Sequence, residues 1–151
     1  MAATISLRSS AFSPNAAIPS RYTCNGADVS PPLSWTGVPA DAKSIALTLI
    51  DPDAPGRPFT HWVTFNLPPG TTDIPEGGPL PSRSSEGRND FGSNGYRGPC
   101  PPPGSPHHYH FKVYALDTTL PLRAGASEQD LEEALKGHVI ANGELVGTFK
   151  R

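Results

Sequence analysis

Three segments of the chain combine apolar and β-branched residues in the manner of core strands. They are the stretches 44–50 (SIALTLI), 61–67 (HWVTFNL) and 109–116 (YHFKVYAL), and proline and glycine clusters bound each of them. In the third stretch, strict alternation places Tyr109 and the other odd-numbered residues on one face of the strand. This pattern is typical of a strand with one well-covered face and one wetter face.

A single helix is predicted near the C-terminus. Ser127 and Asp130 resemble a capping box, Leu131 and Leu135 follow at helical spacing, and Gly137 supplies a stop. A final short strand over 144–149 is expected to return to the sheet. One helix among many strands predicts an all-β fold, either a sandwich or a barrel. Without an internal repeat or a compositional break, we expect one domain over residues 1–151.

Proline and glycine are abundant, with 19 Pro and 15 Gly in 151 residues beside 36% hydrophobic residues. This composition favours turns and irregular segments over long helices. The proline-rich stretch 68–106 is longer than most ordered loops and could be a disordered linker. Its aromatic residues and the sequence Asn-Asp-Phe-Gly at 89–92 favour an ordered surface loop instead.

The charge and hydropathy patterns exclude several classes of partner. Twelve basic and fourteen acidic side chains give a net charge of −2, and no basic block supplies the footprint of a nucleic-acid-binding protein. No stretch approaches the roughly 20 apolar residues of a transmembrane helix, and the first residues lack the apolar core of a signal peptide. We therefore expect a cytoplasmic protein without a transmembrane segment.

The two cysteines, Cys24 and Cys100, are too few for a disulfide-rich scaffold or a four-ligand structural zinc site. Two free buried thiols are the favoured interpretation, and a single disulfide is the alternative.

Polar side chains that could carry chemistry concentrate in two segments. Residues 51–55 (DPDAP) lead to His61, and residues 98–104 (GPCPPPG) lead to His107 and Tyr109. Prolines would fix the walls of a pocket, glycines would let backbone N–H groups approach a ligand, and histidine or tyrosine could donate to an anion. The plainer alternative is that the aspartates satisfy local backbone donors and the histidines pack within strands.

Metal binding and covalent catalysis find less support. The spacing of the possible ligands matches no standard metal signature, so no metal or other cofactor is predicted. These possible ligands are Asp51, Asp53, His61, His107, His108 and His110. The chain has no G-x-S-x-G sequence, and Cys100 lies between two prolines without a sign of thiolate activation. We assign no catalytic residue.

The same two segments carry a family resemblance. DPDAP followed by THW, and GPCPPPG followed by HHYHFKVYALD, resemble the two signature regions of the phosphatidylethanolamine-binding protein family, in the same order. Further similarity runs through the stretches 18–26, 29–35, 89–92, 137–138 and 147–149. The short chain is similar to the prokaryotic branch, which is commonly labelled Raf-kinase-inhibitor-like.

The resemblance implies a β-sandwich of two antiparallel sheets with Greek-key connections and an anion pocket near one end. It also implies a cis-proline turn, at Asp51–Pro52 or within the proline-rich segment. The ligand would be phosphate, acetate or a phosphoethanolamine headgroup. The site residues carried over from the family motifs are Asp51, Asp53, Ala54, Pro55, His61, Gly98, Pro101, Gly104, His107 and Tyr109.

These observations lead us to expect a binding protein for a small anion or phosphorylated ligand, with a kinase or protease as a possible protein partner and a possible homodimer. Two rival functions remain open. One is a small acid–base enzyme that uses His61, His107 and Asp51 on an anionic substrate. The other is an inhibitor that inserts the proline-rich loop into a protease or kinase groove without needing a ligand.

Overall fold

The computed structural model describes residues 3–151 and builds them mainly from β-strands. The four predicted strands are present and somewhat longer than expected, and one α-helix lies where it was predicted. The strands are β1 (Ala3–Thr4), β2 (Ser6–Arg8), β3 (Leu33–Thr36), β4 (Ser44–Asp51), β5 (Phe59–Leu67), β6 (Asp73–Ile74), β7 (Ser85–Glu86), β8 (His107–Leu116) and β9 (Val139–Phe149). The helix α1 spans Glu128–Leu135, and a 3-10 turn spans Ser20–Tyr22.

The strands form two sheets, which confirms the predicted sandwich. The larger sheet has the order β1-β9-β8-β4-β5-β7 and the smaller one the order β2-β3-β6. All pairings are antiparallel except that of β1 with β9, which is parallel. After the β4–β5 hairpin the chain crosses to the opposite side of β4 and returns as β8, as a Greek-key connection does.

Both faces of the larger sheet are covered, by different partners. The predicted alternation over residues 109–115 of β8 is confirmed, since Tyr109, Phe111, Val113 and Ala115 are fully buried and the residues between them are not. They face a core that includes Trp35 of the smaller sheet. On the opposite face, Leu131 and Leu135 of α1 pack with Phe65 and other apolar residues of the sheet. Each fully buried large side chain contributes roughly 1.5–3 kcal/mol to the free energy of unfolding.

The helix begins and ends where the local sequence predicts. The Ser127 hydroxyl accepts from the Asp130 N–H at 3.0 Å, and the Asp130 carboxylate accepts from the Ser127 N–H at 3.2 Å, which completes the capping box. Just beyond the helix, Gly137 has a φ of +79°, a conformation that residues with a Cβ rarely adopt. The apolar stripe between these two ends is what α1 buries.

The proline-rich segment is held in place by short strands and hydrogen bonds, as an ordered loop would be. It contains β6 and β7, and the amide of the buried Asn89 bridges the Phe91 N–H and the Gly95 carbonyl at 3.0 Å each. A cis peptide bond at Gly78–Pro79 also lies here. Of the two places that the resemblance implied for a cis proline, the structure has it in this segment.

Cys24 and Cys100 form a disulfide between the 3-10 turn region and the end of the proline-rich segment, with 5.4 Å between their Cα atoms. The favoured interpretation as two free buried thiols is therefore wrong. Cys24 is also exposed and Cys100 only partly buried. The physical reason is that the two backbones lie side by side here, since the Cys24 N–H donates to the Pro99 carbonyl at 3.1 Å. None of the helices within residues 3–151 is long and apolar enough to cross a membrane.

Candidate functional site

A cavity of about 210 Å³ lies at one end of three neighbouring strands of the larger sheet. Because β4 runs antiparallel to both β5 and β8, its last residue lies beside the first residues of these two strands. The register pairs Asp51 with Phe59 on β5 and Ile50 with His110 on β8. The cavity is lined by Asp51, Ala54, Pro55, Phe59, His61, Phe91, Cys100, Pro101, Pro102, His107 and Tyr109.

Asp51 and His107 form a nearly buried pair on one wall of the cavity. The Asp51 Oδ2 lies 2.6 Å from the His107 Nδ1, and the two side chains are 4% and 13% exposed. The second oxygen, Oδ1, accepts from the Asp53 N–H at 2.8 Å. Both carboxylate oxygens are thus engaged, and the imidazole is held with its Nε2 free to meet a ligand.

His61 is fixed from the opposite side by the backbone of the proline-rich segment. Its Nδ1 lies 2.7 Å from the carbonyl oxygen of Arg97, and the residue is only 3% exposed. Burial lowers the pKa of His61 below the ordinary histidine value, and the Arg97 carbonyl and Asp51 only partly oppose this effect. The ring is therefore neutral at physiological pH.

The Tyr109 hydroxyl is buried and makes no well-formed hydrogen bond within the protein, although the Asp51 carboxylate lies near enough to interact with it. Three buried hydroxyls in the described residues share this property, and Tyr109 is the one that lines the cavity. Burial raises the pKa of Tyr109 far above its usual value, so the phenol keeps its proton. An unpaired buried hydroxyl costs about 1–3 kcal/mol, and a ligand oxygen at this position would remove that cost.

The remaining walls are mainly apolar and aromatic. The ring centroids of Phe59 and Phe91 lie 4.8 Å apart, and the Phe91 ring lies 5.6 Å from His61. Phe91 is 41% exposed, and the Arg97 guanidinium lies over its outer face, 4.9 Å from the ring centroid. The guanidinium does not line the cavity, and neither does any lysine or arginine of residues 3–151. The site thus offers hydrogen bonds without a fixed cationic side chain.

Seven of the ten residues predicted from the sequence line this cavity, namely Asp51, Ala54, Pro55, His61, Pro101, His107 and Tyr109. The other three lie nearby without lining it. Asp53 accepts from both the backbone N–H and the ring of His108, at 2.8 and 2.7 Å. Gly98 donates its N–H to the Asp28 carboxylate at 2.8 Å, and Gly104 donates to the Arg151 carbonyl. These contacts support the loops that carry the walls.

Sequence reasoning missed four lining residues, which are Phe59, Phe91, Cys100 and Pro102. Phe59 directly precedes the THW motif, whereas Phe91 lies about 30 residues further along the chain. Two hydrogen bonds bring them together, from the Thr60 N–H to the Asp90 carboxylate at 2.7 Å and from the Asp90 N–H to the Thr60 carbonyl at 2.8 Å. The exposed aromatic in the Asn-Asp-Phe-Gly stretch was the one available signal.

The arrangement suits proton-sharing hydrogen bonds more than metal binding. In residues 3–151 no three His, Cys, Asp or Glu side chains are grouped so as to hold a metal ion. What converges on the cavity is a phenol donor and two imidazoles, with ring centroids 5.4 Å (His61–Tyr109) and 6.4 Å (His107–Tyr109) apart. All three groups belong to residues that line the same cavity.

Comparison with known proteins places this chain in a family. The family model for phosphatidylethanolamine-binding protein matches residues 8–150. A protein of Methanothermobacter thermautotrophicus named UPF0098 protein is 52% identical over 97% of this chain and 99% of its own length. Pyrococcus horikoshii has a relative, UPF0098 protein PH1269, that is 54% identical over 95% of this chain and 75% of its own length.

Solved structures give the same result. The crystal structure of a phosphatidylethanolamine-binding protein homologue, CT736 of Chlamydia trachomatis, superposes with a TM-score of 0.92 at 40% identity, covering 98% of each chain. YbcL of E. coli, described as a member of the mammalian family of these proteins, also reaches 0.92, at 35% identity and coverage of 97% and 98%. The sequence match, the sandwich and the shared structure agree, and the chain belongs to the phosphatidylethanolamine-binding protein family.

Proposed function

We propose that this chain is a binding protein for a small anion of the phosphate or phosphoethanolamine type, held in the cavity between β4, β5 and β8. The observation that carries the proposal is the Tyr109 hydroxyl, which is buried at the cavity without a well-formed hydrogen bond in the protein. Such a donor favours a ligand that brings an acceptor oxygen. The cavity is below the roughly 300–1,000 Å³ of pockets for drug-sized ligands, which favours a headgroup over a whole lipid.

Calorimetric titration of phosphate and of O-phosphoethanolamine tests the proposal. We expect saturable binding to the wild type and about tenfold weaker binding to Tyr109→Phe, which removes the donor and keeps the ring. Tyr114→Phe is the matched control, because Tyr114 lies on the opposite face of the same strand. Absence of binding by folded wild type would contradict the proposal.

An acid–base enzyme is the second candidate, and the Asp51–His107 pair favours it. A carboxylate 2.6 Å from Nδ1 orients the imidazole of His107, which lines the cavity, and general bases are held in this way. The candidate predicts chemical loss of an anionic ester substrate and a pH-dependent rate that His107→Gln abolishes. Turnover of phosphate monoesters is measured by the release of phosphate. Binding without any such release would support the binding protein over the enzyme.

Modulation of a kinase or protease is the part of the proposal that concerns protein partners. The exposed face of Phe91 beside Arg97 at the cavity mouth would contact a protein that inserts a phosphorylated side chain. We expect Phe91→Ala to weaken such a complex more than it weakens the binding of free phosphate. A possible homodimer is tested separately, by light scattering of the purified chain.

The location of the protein is a separate part of the proposal. The sequence favours the cytoplasm, whereas a disulfide such as Cys24–Cys100 is rare in the cytosol of most organisms and common in oxidising compartments. Cell fractionation, with thiols trapped by alkylation at lysis, measures the location and the redox state together.

A further inference from the structure

The hydrogen-bond polarity of His61 restricts what this cavity can bind. A carbonyl oxygen only accepts hydrogen bonds, so the contact between the His61 Nδ1 and the Arg97 carbonyl requires the hydrogen to be on Nδ1. In the neutral ring, Nε2 then carries a lone pair and acts as an acceptor. Burial lowers the pKa of His61 and thus favours this neutral form. Nε2 is the ring nitrogen left to meet a ligand in the cavity that His61 lines.

His107 obeys the same rule on the other wall. The Asp51 carboxylate only accepts, so the Nδ1 of His107 also carries a hydrogen. Its Nε2 accepts when the ring is neutral and donates when the ring is protonated. The donor that does not depend on protonation state is the Tyr109 hydroxyl.

The charges around the cavity also favour a ligand with a single negative charge. Asp51 places a buried carboxylate at the wall, and no lysine or arginine of residues 3–151 lines the cavity to offset it. A doubly charged anion would face this carboxylate and would set its own lone pairs against the Nε2 of His61. A ligand with one charge and one O–H group avoids both costs. The charged groups that influence His61 are Asp28, Asp51 and Asp90. The other titratable groups near it are Tyr109, which contacts its ring, and His107, which lines the same cavity.

We propose that the cavity selects singly charged oxyanions that carry a hydrogen, with the ligand O–H donating to the His61 Nε2 and a second ligand oxygen accepting from the Tyr109 hydroxyl. A phosphate monoester in its monoanionic form meets this requirement, and a sulfate ester, which has the same charge and shape but no hydrogen, does not. The inference rests on the proposed anion-binding function and makes His61 the residue that determines specificity.

Methyl phosphate and methyl sulfate are the matched probes. At pH 5.5, below the second ionisation of phosphate monoesters at about pH 6, both are mainly monoanions and differ by one hydrogen. We expect methyl phosphate to bind at least about tenfold more tightly than methyl sulfate, because the sulfate ester leaves the Nε2 acceptor unpaired. At pH 8, where methyl phosphate has lost that hydrogen, its affinity should fall by a similar factor.

Two variants assign the effect to single residues. The amide of His61→Gln presents either a donor or an acceptor by rotation, so the preference for methyl phosphate should shrink to within about threefold. Tyr109→Phe should weaken both ligands by the same factor and keep their ratio. Circular dichroism and thermal unfolding check that each variant is folded.

The position of the hydrogen on the His61 ring can be measured directly in the wild type. Long-range ¹H–¹⁵N NMR correlations should show the hydrogen of His61 on Nδ1, with and without methyl phosphate. A hydrogen on Nε2 would overturn the inference directly.

The binding outcomes separate this inference from the proposed function. Equal binding of methyl sulfate and methyl phosphate, both weakened by Tyr109→Phe, would overturn selection by His61 and leave the anion site standing. If neither probe nor inorganic phosphate binds to the folded wild type, the anion site and the inference both fail.

Discussion

The Asp51 Oδ2 lies 2.6 Å from the Nδ1 of His107 and links the end of β4 to the first residue of β8. A similar contact occurs two residues along, where the Asp53 Oδ2 lies 2.7 Å from the Nδ1 of His108. The first pair is nearly buried, at 4% and 13% exposure, and the second is open to solvent, at 41% and 53%. The chain thus contains its own control for the effect of burial on an aspartate–histidine pair.

Asp51→Asn should lower the free energy of unfolding by about 1–3 kcal/mol, because the amide has one acceptor oxygen for two buried donors. Asp53→Asn should cost less than about 1 kcal/mol, since water competes for the exposed pair. Urea unfolding of both variants measures the difference. Equal losses would contradict the assignment of a buried role to Asp51.

The free energy of unfolding should depend on pH in part through the protonation of His61. Burial lowers the pKa of His61, so below about pH 6.5 the unfolded chain takes up a proton at this residue that the folded chain does not. The contribution of His61 to the free energy of unfolding is therefore complete above about pH 6.5 and is lost as the pH falls towards the lowered value.

Urea unfolding of wild type and His61→Gln at a series of pH values between 8 and 5 isolates this effect, since the other four histidines are present in both proteins. We expect the difference in unfolding free energy between the two proteins to shrink as the pH falls. A difference that stays constant or grows would show that the folded chain binds this proton as readily as the unfolded one.

The Cys24–Cys100 disulfide should contribute strongly to stability. It joins residues 76 positions apart, and closing a loop of that length in the unfolded chain is worth about 4 kcal/mol in the chain-entropy model. The double variant Cys24→Ser/Cys100→Ser should unfold at a correspondingly lower denaturant concentration, and reduced wild type should behave like it. Two free thiols in unreduced wild type, detected by alkylation and mass spectrometry, would be incompatible with this expectation.

Gly98→Ala should destabilise the loop that carries the proline wall of the cavity. A Cβ at this position would collide with the Tyr22 carbonyl oxygen and lie 2.7 Å from the Asp28 carboxylate. Gly70→Ala is the matched control, because a Cβ there meets nothing within 4 Å. We expect a loss of about 1–3 kcal/mol for Gly98→Ala and little change for Gly70→Ala, measured by thermal unfolding. Similar melting temperatures for both variants would refute the close approach at Gly98.

Much of the candidate site follows from sequence because its residues lie in two short signature segments. Asp51 and His61 come from one of them, and His107 and Tyr109 come from the other. The role of Gly98 was different from the expected one, since its N–H is committed to Asp28 and is not presented to the cavity. Phe91 was missed because no local pattern shows which side of the sheet a residue in a 39-residue proline-rich stretch will contact.

The local features of this protein follow from its sequence. Alternation along β8, the capping box of α1 and the turn at Gly137 are set by neighbouring residues, and each is where the pattern predicts. Other features depend on contacts between distant segments and are visible in the folded chain alone. The Cys24–Cys100 bond and the tautomer of His61, which is set by the Arg97 carbonyl 36 residues away, exist only because the sheet and the proline-rich segment bring separate backbones together. The periodicity of the sequence does not predict such long-range contacts, because the packing of the whole core offsets the entropy lost in closing the loops between them.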